Sequence, residues 1–240
     1  MFLNKLNIDH NKFPTSGYYP FNLEIFKETS SIEFGSDVTF FAGENGSGKS
    51  TLLTAIARKW DIHIWCQNEY SPLVHNKYAD LLYTCLKFEN SESVPGAFFA
   101  AQSFKKYAEL IDEWAKTDKS YLQYHGGESL SAKSHGQTNM QYFRNRFKIK
   151  GLYLLDEPEA ALSPKSQIEL LDVISEAVNN GNVQFIIATH SPILLGLTGS
   201  VIYNFNNIPI IPIAFEDTDY FRIYMDVLMN FEKKRKDEQL

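Results

Sequence analysis

The run Gly43-Glu44-Asn45-Gly46-Ser47-Gly48-Lys49-Ser50-Thr51 fits the pattern G-x-x-x-x-G-K-[ST], and it constrains the fold more than any other stretch of the chain. Such a loop works only where a strand delivers it and a helix leaves it. Both are predicted here. Val38–Ala42 is a short apolar run of β-forming residues, and Thr51–Ala57 carries apolar positions at helical spacing. The glycines let backbone amides converge on phosphate, and Lys49 brings a cation to the β and γ oxygens. The Ser50 hydroxyl is placed to ligate Mg²⁺. A glycine-rich turn that merely happened to contain Lys-Ser would not meet so many constraints at once, so the loop predicts a nucleoside triphosphate site.

At 240 residues, one large domain or two small ones can bury a sizeable core. A hydrophobic content of 44% with 22% charged residues is that of an ordinary globular chain. There is no run of eighteen apolar residues, and Met1-Phe2-Leu3-Asn4-Lys5 lacks the layout of a secretory signal. Cys66 and Cys85 match no metal spacing and read as buried, reduced thiols, so a cytoplasmic location is expected. The net charge of −6 does not indicate nucleic acid as a partner. Two basic clusters, Arg144 to Lys150 and Lys233 to Lys236, read as solvated helix faces or ends.

Along the chain, residues 2–8 and Ile32–Phe34 suggest strands, and Gly35-Ser36-Asp37 turns into the strand that feeds the loop. Further strands are expected at Ile62–Cys66, Leu81–Phe88 and Ala97–Ala101, the last stopping at Gln102. Ser103–Lys116 has helical spacing, 117–134 reads as loop, and Met140–Phe147 as a helix. Gly151–Leu155 and Val183–Ala188 look like buried parallel strands around a helix at Pro164–Asn179. Val201–Phe205 and Ile208–Ile213 suggest strands, and Tyr220–Glu232 a helix. This alternation predicts an α/β sheet with right-handed crossovers.

Two strand ends carry further chemistry. Leu152-Tyr153-Leu154-Leu155-Asp156-Glu157-Pro158 ends in paired carboxylates. Asp156 is placed to hold the Mg²⁺ of a triphosphate, and Glu157 to act as general base toward water. Two solvent-facing acids opening a turn would explain the same residues in isolation, but not beside the Lys49 loop. Phe185-Ile186-Ile187-Ala188-Thr189-His190 delivers a histidine to the edge where ligands collect in open α/β sheets. From there His190 could donate to a γ-phosphate oxygen.

The Lys49 loop, the Asp156-Glu157 strand and Ala188-Thr189-His190-Ser191-Pro192 together resemble the nucleotide-binding domain of ABC-type ATPases. Within these, the chain is most similar to the stand-alone, AAA-labelled ATPases near the chromosome-maintenance branch, over nearly its full length. The resemblance implies an α/β P-loop NTPase fold with a mostly parallel central sheet, flanking helices and an antiparallel β edge. It implies one domain over 1–240 with a small helical and loop insertion at about 103–147. It implies ATP and Mg²⁺ as ligands, and a second copy of the chain as partner. Gln102, 53 positions after Lys49 (102 − 49), matches the family's Q-loop glutamine, which contacts Mg²⁺ and the attacking water. The family signature, which binds the partner's γ-phosphate, has two matches: His125-Gly126-Gly127-Glu128 and Ser134-His135-Gly136-Gln137. The second lies 22 positions before Asp156 (156 − 134), the spacing the family keeps, so Ser134, Gly136 and Gln137 are assigned to it. His135 stands where the family usually has glycine, and Ser163 where transporter ATPases have aspartate; Ser163-Pro164 reads as a helix N-cap. Tyr18, Tyr19 and Phe21 are all available to stack on adenine.

The favoured reading is an ATPase without membrane insertion, hydrolysing ATP at composite sites of an ATP-induced head-to-tail dimer. The 32 residues between Gln102 and Ser134 (134 − 102) are too few for a long coiled coil, and transport would need a separate permease. Two alternatives are a nucleotide-gated interaction module with incidental turnover, acting on an unknown protein partner, and a small-molecule phosphotransferase built on the same loop.

Overall fold

The computed structural model describes residues 1–65, 76–125, 127–130 and 135–237. In chain order its elements are β1 (Leu3–Ile8), α1 (Glu24–Glu28), β2 (Ser31–Glu33), β3 (Val38–Ala42) and α2 (Lys49–Lys59). Then come β4 (Leu86–Ser91), β5 (Gly96–Ala100), α3 (Ala101–Ala115), α4 (His135–Arg146), β6 (Gly151–Asp156) and α5 (Pro164–Asn179). The chain closes with β7 (Val183–Thr189), α6 (Pro192–Leu195), β8 (Val201–Asn204), β9 (Ile211–Ile213) and α7 (Asp219–Asp237). Among the described residues no helix is long and apolar enough to cross a membrane.

The six-stranded sheet has the order β5-β6-β7-β3-β8-β9, parallel except for β9, which runs antiparallel along β8 at the edge. A second, antiparallel sheet has the order β2-β1-β4. The expected α/β fold with an antiparallel edge is therefore present. β3, β6 and β7 are apolar nearly end to end because both faces of the parallel sheet are covered, and successive residues go to opposite layers. Phe41, Leu152, Leu154, Ile186 and Ala188 face a core shared with α2 and the antiparallel sheet. Phe40, Tyr153, Leu155, Phe185 and Ile187 face a core shared with α4, α5 and α6.

One polar residue interrupts β7. Gln184 is fully buried, and its Oε1 accepts from Phe2 N at 2.7 Å and Leu3 N at 2.8 Å. Its Nε2 donates to Leu3 O at 2.8 Å, so one amide ties β1 of one sheet to β7 of the other.

Two expected strands differ. Ile62–Trp65 pairs with no strand, and Cys66 lies outside the described residues. The segment is held by side chains instead. An ideal Cβ on Gly96 would fall 2.3 Å from Ile62 Cδ1, so Ile62 occupies the space over that glycine, while the Trp65 ring meets Tyr107 and Trp114. Leu82–Cys85 is a 3₁₀ turn, because its buried residues, Leu82 and Cys85, are three apart rather than two. The strand begins only at Leu86. Part of the stretch read as loop, Lys119–His125, is likewise a 3₁₀ turn. Helix α4 starts at His135, five residues before the expected Met140, and α5 spans the residues expected of it.

Candidate functional site

The loop leaves β3 at Gly43, whose φ of 156° comes with no room for a side chain. A Cβ there would lie 2.9 Å from Phe205 Cβ and 3.1 Å from Ser47 Oγ. Gly48, at φ 100°, turns the chain into α2. Lys49, the first residue of α2, is 4% exposed, and its Nζ donates to Gly43 O at 2.6 Å and Glu44 O at 2.8 Å. Burial pushes its ammonium down from the usual lysine range, opposed by Glu157, Asp156 and Glu159. Ser47 Oγ is buried and, among the described residues, has no hydrogen-bond partner. Asn45 and Gly46 form the exposed crest of the loop. Glu44 N donates to Asn206 Oδ1 at 2.8 Å.

The C-terminal ends of β6 and β7 bring the carboxylates and the histidine to the same edge. Ser50 Oγ donates to Asp156 Oδ1 at 2.8 Å. Burial, against the Ser50 hydrogen bond and with the Glu157 charge nearby, pushes the Asp156 carboxyl up to about 6. Glu157 adopts a left-handed φ of 49° and ψ of 53°, a conformation that costs a non-glycine residue free energy. Its N donates to Ala188 O at 2.9 Å, and Pro158 follows in a short 3₁₀ turn, Pro158–Ala161. The result turns Glu157 Oε1 toward His190 Nε2, at 3.1 Å. On the other side of that turn, Glu159 Oε1 accepts from Thr189 Oγ1 and from His190 N, both at 2.7 Å, which fixes the backbone that carries the imidazole.

The structure thus brings together Lys49, Ser50, Asp156, Glu157 and His190. Thr51 is the third residue of α2, its Oγ1 2.5 Å from the Tyr19 hydroxyl. Of the three aromatic candidates, Tyr19 is the one at the loop; Tyr18 packs on Tyr78, and Phe21 is fully buried in the core. Gln102 is the second residue of α3 rather than the end of a strand, and the residue two before it, Ala100, pairs with Asp156. Its side chain is exposed and, among the described residues, joins no hydrogen bond with the cluster. Ser134 lies outside the described residues. Gly136 and Gln137 stand on the first turn of α4. A Cβ on Gly136 would lie 2.8 Å from Ala161 O, so the helix start rests directly on the turn that follows Glu157. Ser163 caps α5 as expected, accepting from Ser166 N at 3.2 Å.

Sequence reasoning missed Glu159, Asn206 and Tyr220 as parts of this site. Asn206 and Tyr220 approach it only through folding of the tail, and an acid two residues after the carboxylate pair carries no signal of its own.

The donor set suits a triphosphate with a hard cation. A serine hydroxyl and a carboxylate 2.8 Å apart are oxygen ligands of the kind Mg²⁺ takes. Among the described residues no group of three or more His, Cys, Asp or Glu is arranged to hold a metal ion on side chains alone.

Comparison with known proteins agrees with this geometry. A family model described as AAA ATPase domain matches residues 129–195, and one described as AAA domain matches residues 21–58. The ribosome protection protein VmlR of Bacillus subtilis is 23% identical over 215 residues, covering 90% of this chain but 33% of VmlR, so the chain spans about a third of that relative. The phosphate import ATP-binding protein PstB of Aeropyrum pernix is 27% identical over 179 residues, 65% of this chain and 70% of PstB. Among solved structures, cbiO1 from Clostridium perfringens, part of the ABC transporter complex cbiONQ, superposes with a TM-score of 0.53 at 15% identity, with all of both chains covered. An SmcHead bound to the C-winged helix domain of ScpA gives 0.52 at 12% identity, over 90% of this chain and 99% of that one. In fold, in motifs and in the relatives it matches, the chain resembles the ATPase domains of ABC-type proteins.

Proposed function

We propose that this domain binds Mg-ATP at the 43–51 loop and hydrolyses it at composite sites formed between two copies of the chain. The observation that supports this reading is the convergence of the Ser50–Asp156 and Glu157–His190 pairs on one sheet edge, beside a buried lysine. In this reading residues 1–240 act as one domain, with 103–147 as its small insertion. Backbone amides of Gly43 to Thr51 wrap the phosphates, aided by the N-terminus of α2. Lys49 exchanges its two loop carbonyls for phosphate oxygens. Ser50 and Asp156 would hold Mg²⁺, and Gln102 would reach in from the start of α3. When bound, the ion neutralises charge on the β and γ phosphates.

Glu157 takes a proton from water. The water oxygen bonds to the γ-phosphorus while the bond to the β–γ bridging oxygen breaks, releasing ADP and phosphate. His190 turns its Nε2 donor from Glu157 to the γ-phosphate, which frees the carboxylate to act as base. Ser134, Gly136 and Gln137 of a second copy close over the same phosphate, and hydrolysis reopens the pair.

The test is complementation between two inactive variants. Lys49→Ala and Ser134→Arg proteins are each expected to lack turnover. Mixed, they form one intact composite site, and ATPase activity should reappear at about a quarter to half of the wild-type rate per dimer. Absence of activity in mixtures shown by native mass spectrometry to contain mixed dimers would overturn the composite-site reading.

A further inference from the structure

Tyr220, the second residue of α7, touches both the phosphate loop and the histidine. Its hydroxyl donates to Gly43 O at 2.7 Å and lies 2.8 Å from His190 Nδ1. The residue before it reaches the same loop by another route: Asp219 Oδ2 accepts from Asn206 Nδ2 at 3.3 Å, and Asn206 Oδ1 accepts from Glu44 N. Two consecutive residues therefore fasten the first turn of α7 to the loop, although the rest of that helix is largely exposed.

The protons can be counted. A carbonyl only accepts, so the single phenolic proton goes to Gly43 O, and the phenol oxygen presents a lone pair to Nδ1. Nδ1 must then carry a proton. Nε2 faces a carboxylate oxygen, Glu157 Oε1, and that contact needs a proton as well. Three contacts made at once require three protons: one on Tyr220 and two for the ring and its carboxylate partner. Burial pushes the Tyr220 hydroxyl up to about 12, so it keeps its proton through the neutral range.

We propose that Tyr220 is the positioning residue for His190: by accepting from Nδ1 while donating to Gly43 O, it keeps a proton on Nδ1 and orients the ring so that Nε2 faces the site. The inference rests on the reading of His190 as the γ-phosphate donor. Glu157 contacts the ring and Glu159 holds its backbone amide, while Glu44, Asp219 and Glu159 act on the Tyr220 hydroxyl and Glu157, Asp156 and Glu159 act on Lys49.

The experiment follows the two ring nitrogens of His190 by ¹⁵N NMR in the full, nucleotide-free chain, with the signal assigned by its loss in His190→Gln. Tyr220→Phe keeps the aromatic packing and removes the hydroxyl. Deprived of its acceptor, the Nδ1 proton should exchange with water fast enough to vanish from the spectrum. An Nδ1 proton that persists unchanged in the variant would overturn the proposal. The wild type supplies a check that needs no variant. A resolved Nδ1 proton close to the Tyr220 ring is expected at pH 5.5–6.5 (about 6), and an Nδ1 proton seen close to any other residue instead would also overturn it. Turnover separates this inference from the ATPase reading. If the chain hydrolyses ATP, Tyr220→Phe should lower kcat about tenfold with KM within about twofold. If it does not, the NMR result still decides the role of Tyr220.

Discussion

The Ser50 hydroxyl and Oδ1 of Asp156 meet at 2.8 Å across 106 positions of sequence. β7 lies between the strands that bring them, so their contact measures how closely the loop after β3 leans over the sheet edge. The serine proton partly satisfies a carboxylate that the fold has withdrawn from water.

That carboxylate should leave a mark on stability. Its folded value of about 6 lies above the ordinary aspartate value of 3.8. The folded protein therefore holds the proton more tightly than the unfolded chain does. The stability this contributes is full below about pH 4 and is lost as pH rises through about 6. Asp156→Asn has no such loss. In thermal unfolding with EDTA and no nucleotide, the variant should gain on wild type by on the order of 1 kcal/mol between pH 4.5 and 7.5 (about 4 and 7). An unchanged difference would show that Asp156 is ionised alike in both states.

Lys49→Ala should remove ATP binding. The lysine is the loop's own buried cation, and a charge-assisted contact of this kind contributes roughly 1.5–3 kcal/mol, about tenfold to a hundredfold in affinity. Isothermal titration of both proteins with Mg-ATP measures it directly, and equal dissociation constants would remove Lys49 from the site.

Glu157→Gln should slow turnover about 10²–10⁴-fold while leaving ATP bound. Glutamine keeps the shape and one acceptor oxygen but cannot take a proton from water. Losing a carboxylate beside the triphosphate also relieves repulsion and should favour the closed pair. Light scattering with Mg-ATP should find a dimer for the variant where Mg-ADP gives monomer. A monomeric variant that hydrolyses at the wild-type rate would show that Glu157 is not the base.

Gly136→Ala should destabilise the fold by about 1–3 kcal/mol, because the added carbon meets a backbone oxygen rather than a side chain that can swing away. At 2.8 Å from Ala161 O, either α4 or the turn after Glu157 must move. Urea unfolding gives the magnitude, and wild-type stability would show that the helix start has slack.

The parts legible in the sequence were those where local pattern and tertiary role coincide. The loop between Val38–Ala42 and α2, and the apolar strands ending at Asp156 and before His190, are specified by residues a few positions apart. Ser163 with Pro164 marked the start of α5 for the same reason. Ile62–Trp65 is β-forming in composition but gains its contacts from Gly96, Tyr107 and Trp114, which are distant in sequence, so composition misled. Tyr220 was out of reach because its partner Gly43 lies 177 positions away. The choice among Tyr18, Tyr19 and Phe21 needed the core, which takes Phe21 for itself.

The amide of Gln184 has a mechanical consequence. It sits near one end of β7, and His190 follows the other end of the same strand. Through its three hydrogen bonds to Phe2 and Leu3, the antiparallel sheet is bolted to the rod that carries the imidazole. A force that twisted the small sheet would have to break buried amide bonds before it could turn independently. A displacement of Phe2 and Leu3 would therefore be felt first by β7, the strand whose far end leads to His190.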